Sequence, residues 1–237
     1  MTKGLVLAGG TGSRLYPISR VVNKHLIPIG KQPMIYYPVK TMVESGITEI
    51  MVATGPRSVG PIAELLGSGR EFGCNFYYRV QENPNGISDA IRLAQDFTSQ
   101  ERLMVMLGDN LVSETFTDIV KDFEQSSSGC RIFLKEMQNV EGLGVARVEN
   151  GEVTGVVEKP EEFVSNLAVT GIYLFDNRCF QLIETLYPST RNELEITDLI
   201  NAYFDLGACD PGILSGDWMD AGTFESLQRA EIVFGSD

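Results

Sequence analysis

The sequence predicts an α/β fold built on a mainly parallel sheet with helices packed on its faces. Three observations predict it. Short apolar runs alternate with helix-length segments through the first half of the chain. Those runs, such as Leu103-Met-Val-Met-Leu107, carry no polar alternation, as fits strands covered on both faces. The first run, Lys3-Gly-Leu-Val-Leu-Ala8, leads straight into a glycine-rich turn. Alternating strand and helix implies right-handed crossovers, and sheets of that kind bind ligands beyond the carboxyl ends of their strands.

Taken in order, the runs at 3–8, 49–54, 76–81 and 103–107 read as strands, and 34–45, 59–66, 87–97 and 115–125 as helices. Gly46 supplies a helix stop, and Pro38 is expected to disturb the first turns of its helix. Past residue 125 the pattern changes. Strands are predicted at 131–137, 143–149, 152–158 and 167–175, with Asn150-Gly151 as a hairpin signal. Helices return at 177–186, 195–206 and 223–234. No linker, repeat or low-complexity segment separates the halves, about 1–125 and 126–237, so a single domain over 1–237 is expected.

Composition narrows the function classes. Apolar residues make up 43% and charged residues 22%, ordinary for a soluble globular chain. No run of 18 apolar residues occurs, and Met1-Thr2-Lys3 opens on a strand instead of a signal peptide, so a cytoplasmic protein without membrane contact is expected. The four cysteines form no C-x-x-C pair and are expected to be buried, reduced thiols. His25 is the one histidine, which makes a Ser-His-Asp triad or a histidine zinc site hard to assemble. It is read as a structural hydrogen bonder beside Lys24, with direct ligand contact as the alternative. The net charge of −13 argues against a nucleic-acid partner, so any phosphorylated substrate must be met by local positive charge.

The turn Gly9-Gly10-Thr11-Gly12-Ser13 exposes backbone N–H groups able to wrap phosphate oxygens. Arg14 and Lys24 add fixed positive charge to the same loop. The segment reads as a holder for a triphosphate. It is neither of two better-known glycine loops: Gly30-Lys31 is followed by Gln32, which breaks a Walker A pattern, and Leu15 stands where a dinucleotide fingerprint needs its third glycine.

Gly9-Gly10-x-Gly12-x-Arg14-Leu15-x-Pro17, with Lys24 and Pro28, resembles the signature of the sugar-1-phosphate nucleotidyltransferases. Gln81…Gly86, Gly108-Asp109, Glu158-Lys159-Pro160 and Trp218-x-Asp220-x-Gly222-Thr223 match in the same order. Met34-Ile-Tyr-Tyr-Pro38 and Glu193-Leu-Glu-Ile-Thr-Asp198 narrow the likeness to the glucose-1-phosphate thymidylyltransferases. The resemblance implies a Rossmann-like three-layer α/β/α nucleotidyltransferase fold with an inserted smaller sheet for sugar binding. It implies transfer of a thymidylyl group from dTTP to glucose 1-phosphate with Mg²⁺ as cofactor. Longer members of the family continue with helices that build a regulatory nucleotide site, so a homo-oligomer with that site reduced or absent is expected.

The same resemblance distributes roles. Arg14 and Lys24 would be catalytic. Gly9, Gly10, Thr11, Gly12, Ser13, Arg14, Gln81, Gly86 and Asp109 would bind the nucleotide, Gln81 reading the base with a backbone group near Gly86. Gly144, Glu158, Lys159, Gly171 and Tyr173 would bind the sugar phosphate, and Asp109 and Asp220 would hold Mg²⁺. Read alone, either aspartate also serves as a cap or turn residue, Glu158-Lys159 as a surface pair and Gln81 as a surface amide; Asp217 is a nearby competitor for the metal. Leu143 departs from the family, where an aromatic is usual, as does Asn192, where glycine is frequent. A uridylyltransferase, a non-catalytic nucleotide-sugar sensor and a structural subunit are the competing readings.

Overall fold

A computed structural model describes residues 1–235. The chain begins with β1 (Thr2–Ala8), a small hairpin of β2 (Pro28–Ile29) and β3 (Gln32–Pro33), α1 (Tyr36–Glu44), β4 (Glu49–Thr54) and α2 (Val59–Leu66). Then come β5 (Asn75–Val80), α3 (Ile87–Arg92), α4 (Gln95–Thr98), β6 (Arg102–Leu107), β7 (Asn110–Val112) and α5 (Thr117–Gln125). The second half holds β8 (Cys130–Glu136), β9 (Val145–Glu149), β10 (Glu152–Val157), β11 (Leu167–Phe175), α6 (Arg178–Glu184) and α7 (Ile196–Asp205). It ends with β12 (Cys209–Ile213), β13 (Trp218–Asp220) and α8 (Phe224–Phe234).

Nine strands form one sheet, with β10-β9-β11-β6-β1-β4-β5 as its main path and β8 and β12 branching from β11. The first-half strands β6, β1, β4 and β5 are parallel, as predicted. The second-half strands do not stand apart: β11 runs antiparallel to β6 and carries β9 and β8 with it. Two small antiparallel sheets, β2-β3 and β7-β13, lie off the main one.

The unalternating strands are buried on both faces, and their period of two sorts them into two cores. Leu5, Leu7, Leu103 and Val105 pack with Ile91 of α3, Phe180 of α6 and Leu199, Ile200 and Tyr203 of α7. Val6, Ala8, Met104 and Met106 pack with Val39 and Met42 of α1, Ile62 of α2 and Val120 and Phe123 of α5. These are the three layers. A third cluster, with Ile29, Leu111, Ala230 and Phe234, seats α8 against the small sheets.

One local expectation holds, and three are corrected. Asn150 and Gly151 both take positive φ, 53° and 84°, in the β9-β10 hairpin. Pro38 leaves α1 undisturbed, because it lies in the first turn, where a backbone N–H has no intrahelical partner to lose. The helix predicted over 87–97 is divided: Leu93 and Ala94 donate to Ala90 and Ile91, three residues back, which tightens the winding between α3 and α4. The strand β12 escaped prediction, since Cys209-Asp-Pro-Gly-Ile213 reads as a turn. Proline is tolerated there because β12 is an edge strand, bonded to β8 alone.

Candidate active site

β1 and β6 are adjacent and in register from Thr2 opposite Arg102 to Leu7 opposite Leu107. Their carboxyl ends therefore deliver the glycine turn and Gly108-Asp109 to one place. A cleft of about 300 Å³ opens there, walled by residues from both halves of the chain.

Against Gly108 lies His25, 1% exposed. A Cβ on Gly108 would meet its ring at 2.6 Å, so glycine is what lets the imidazole pack under the strand end. Burial first and the Lys24 charge second push the His25 pKa down to about 3. The ring is neutral, with Nδ1 2.7 Å from Asn23 Oδ1, and it also lines the cleft. Asn23 also caps the short turn Lys24–Leu26 and donates to the Ala8 carbonyl at 3.1 Å, which ties Lys24 to the end of β1.

Lys24 Nζ is ion-paired with Asp109 Oδ2. Burial, the largest single influence, would raise the Asp109 pKa, but the Lys24 charge together with the hydrogen bonds from Lys24 and Asn110 holds the carboxyl well below the usual range. Its other oxygen, Oδ1, accepts from Asn110 Nδ2 at 3.2 Å. Asn110 in turn accepts on Oδ1 from Trp218 Nε1 at 2.7 Å and from the Gly171 N–H at 2.8 Å. The small sheet sets Asp220 opposite Asn110, and Ala221 N–H donates to the Asp109 carbonyl at 2.8 Å. Burial and then the charge of Asp109 raise the Asp220 pKa to about 6. Arg14 stands 3.7 Å from Asp220 Oδ2. The competitor Asp217 is exposed and lines no part of the cleft.

Two carboxylates crowded together at a strand end are the donor set of a hard divalent cation. Among the described residues no group of three or more His, Cys, Asp or Glu side chains forms a full cage. A cation held by Asp109 and Asp220 would take its remaining oxygens from phosphate and water, as Mg²⁺ does. The residues fit the ion.

At one end of the cleft, Gln81 Nε2 donates to the Gly86 carbonyl at 3.1 Å and to Asp89 Oδ2 at 2.9 Å. Both partners are acceptors, which fixes the amide orientation. Both Nε2 protons are thus engaged within the protein, and Oε1, facing Gly9, is the atom left to a ligand.

At the other end Glu158, Lys159, Gly144, Gly171 and Tyr173 all line the wall. Lys159 takes φ +41°, a backbone conformation uncommon for a residue with a side chain. Burial pushes the Tyr173 hydroxyl above its usual pKa, so it stays protonated. Gly171 has a packing reason besides: a Cβ would meet Leu107 at 2.6 Å and Asn110 Oδ1 at 2.7 Å. Leu143, the departure from the family pattern, also borders the cleft.

Of the remaining residues singled out from sequence, Gly9 and Gly10 line the cleft, and Thr11 lines a neighbouring recess. Gly12 and Ser13 line neither; Gly12, at φ +62°, opens the short turn Ser13–Leu15 that buries Leu15 and thereby aims Arg14. Sequence reasoning missed two contributors. Asn110 had a signal in its place beside Asp109. Arg191 stands two residues before the Glu193-Leu-Glu195 motif; its guanidinium reaches Glu158 at 2.9 Å and Glu195 at 2.8 Å, which joins two segments of the wall.

Comparison with known proteins agrees with this geometry. The sequence model of the Nucleotidyl transferase family matches residues 3–233. A glucose-1-phosphate thymidylyltransferase of Neisseria meningitidis is 39% identical over 96% of this chain and 81% of its own length. The low-salt glycan biosynthesis nucleotidyltransferase Agl11 of Haloferax volcanii is 41% identical over 96% of this chain and 64% of its own. A Bacillus anthracis protein assigned as a glucose-1-phosphate thymidylyltransferase, crystallised with sucrose, superposes with a TM-score of 0.95 at 45% identity, covering 100% of this chain and 96% of that one. A UDP-glucose pyrophosphorylase bound to UDP-glucose superposes with a TM-score of 0.86 at 26% identity, covering 99% of this chain and 98% of that one. With its glycine turn, paired aspartates and Glu-Lys strand end gathered into one cleft, the chain belongs to the nucleotidyl transferase family, in the group of the glucose-1-phosphate thymidylyltransferases.

Proposed function

We propose that this cleft transfers the thymidylyl group of dTTP to glucose 1-phosphate, releasing pyrophosphate and forming dTDP-glucose, with Mg²⁺ held by Asp109 and Asp220. The observation that carries the reading is the convergence of Arg14, Lys24, Asp109 and Asp220 between a base-reading end at Gln81 and a sugar-phosphate end at Glu158 and Lys159. When bound, the cation screens charge on the phosphates and favours departure of pyrophosphate.

The chain's own residues supply the rest. Lys159 holds the phosphate of the sugar, and Glu158 accepts from sugar hydroxyls. A phosphate oxygen of glucose 1-phosphate forms a bond to the α-phosphorus as the bond to the bridging oxygen breaks on the opposite side. That nucleophile is already an anion near neutral pH, so no protein base is required. Lys24 and Arg14 stabilise the charge that grows on the phosphates, aided by the N–H groups of Gly9 and Gly10. Groups preorganised in this way contribute roughly 3 kcal/mol each to the transition state. Gln81 Oε1 accepts from N3–H of thymine, a proton that uracil also presents.

The reading is tested by pyrophosphate release from dTTP in the presence of glucose 1-phosphate and of other sugar 1-phosphates. Release that needs no sugar phosphate, or none at all, would overturn it. The UDP-glucose pyrophosphorylase neighbour supports a second reading, use of UTP. One methyl group gives only about 10- to 200-fold discrimination, so UTP turning over faster than dTTP would make this the correct one.

Two substitutions test the ends of the cleft. Lys159→Ala is expected to raise the KM for glucose 1-phosphate about tenfold or more, with the KM for dTTP little changed. An unaltered sugar-phosphate KM and kcat would remove Lys159 from that end. Gln81→Ala is expected to flatten the preference for dTTP and UTP over CTP, since the acceptor for the N3–H that thymine and uracil share is lost. An unchanged order of kcat/KM values would rule out base reading by this residue.

A further inference from the structure

A second recess, about 750 Å³, lies across the glycine turn from the paired aspartates. It shares Gly9, Gly10, Lys24 and Gln81 with the cleft. Two arginines that do not line the cleft, Arg20 and Arg57, line the recess from two different loops. Those loops are tied together: Asn23 Nδ2 donates to Ser58 Oγ at 2.9 Å. Both arginines are exposed, and neither forms an ion pair among the described residues. Arg20 is braced over the Tyr16 ring, 4.8 Å from its centroid. The one carboxylate lining the recess is Glu82.

The charge balance makes this more than a surface feature. In the cleft, Lys24 is matched by Asp109 and Arg14 by Asp220. Those four side chains sum to no net charge, while a nucleoside triphosphate arrives as a polyanion in a chain whose net charge is −13. Apart from a cation on the two aspartates, the lining side chains whose positive charge is unmatched among the described residues are Arg20 and Arg57. A guanidinium is always charged, and its planar fork suits phosphate oxygens. Gly9, Gly10 and Thr11 of the turn line the recess, which is roomy enough for the linked phosphates.

We propose that the recess is an oligophosphate site: Arg20 and Arg57 bind the terminal phosphates of the nucleoside triphosphate and hold the pyrophosphate product until it leaves. This rests on the nucleotidyl-transfer reading for the identity of the ligand and not for the existence of the site.

The experiment is calorimetric titration of the full chain with sodium pyrophosphate, dTTP and dTMP at fixed ionic strength, using wild type, Arg20→Gln, Arg57→Gln and the double variant. Each single variant is expected to weaken pyrophosphate and dTTP binding about tenfold, and the double variant more, with dTMP binding unchanged. Arg57→Lys is expected to recover part of the loss, since it keeps the charge without the fork. Equal pyrophosphate affinity in the double variant and wild type would overturn the site. Weaker pyrophosphate but unaltered dTTP binding would overturn its assignment to the nucleotide's own phosphates and leave a site for free phosphate anions. The titrations need no turnover: a wild type inactive in nucleotidyl transfer, with pyrophosphate binding that depends on the two arginines, would remove the functional reading and keep the site.

Discussion

Asp109→Asn and Asp220→Asn are each expected to lower turnover by roughly a hundredfold or more, because each removes one of the two negative oxygen donors at the phosphate end. The two variants should differ in stability. Asp109 is 6% exposed and faces the Lys24 ammonium, itself only 15% exposed. Breaking a buried pair by removing one partner is strongly destabilising, at up to about 3–5 kcal/mol, and the amide that replaces Asp109 can still accept from Lys24, so the lower end applies. Asp220 faces Arg14 at 3.7 Å, and that arginine side chain is 55% exposed, so water can replace the lost partner. Turnover measured with added Mg²⁺, beside thermal melts followed by circular dichroism, checks both halves. Near-normal turnover in either folded variant would remove that residue from the metal pair. A larger stability loss in Asp220→Asn than in Asp109→Asn would contradict the account of the ion pairs.

Gly86→Ala is expected to lower the melting temperature by roughly 5–10 °C and to raise the KM for dTTP about tenfold. Gly86 sits at φ 103° and ψ 172°, a region open in practice to glycine alone. A Cβ there would lie 2.4 Å from the Leu194 carbonyl oxygen, which is backbone and cannot rotate away. The neighbouring chain is held by Leu194 N–H to the Asn85 carbonyl at 2.7 Å and by Ser88 N–H to the Leu194 carbonyl at 3.2 Å. Any shift of residue 86 also moves the carbonyl that anchors Gln81, which is why nucleotide affinity should fall together with stability. Gly60→Ala is the control. Gly60 lies in α2 with nothing within 4 Å of its virtual Cβ, so the same substitution should be neutral or slightly stabilising. Equal melting shifts in the two variants would show that the backbone at Gly86 is not strained by a side chain.

Short-range physics accounts for every feature that could be read one segment at a time. Apolar runs without alternation marked the doubly covered strands, and Leu5 and Val6 go to opposite cores because successive side chains on a strand point to opposite faces. Asn150-Gly151 marked its hairpin because both residues tolerate positive φ. The glycine turn with Arg14 and Lys24 marked a wall of the cleft, since residue type and local spacing already single out that segment. Tertiary structure alone decided how these pieces meet. Asn110 orients Asp109 through partners 61 and 108 residues away in sequence, Gly171 and Trp218. Arg191 reaches Glu158 from 33 residues away, and Arg20 and Arg57 line one recess from loops tied by the Asn23–Ser58 hydrogen bond. The turn-like segment Cys209–Ile213 becomes a strand because β8 offers it an edge to pair with. Local propensity is carried by neighbouring residues and can be read one segment at a time. Charge pairing, amide orientation and edge pairing depend on distances between remote segments, and those exist only once the sheet has assembled.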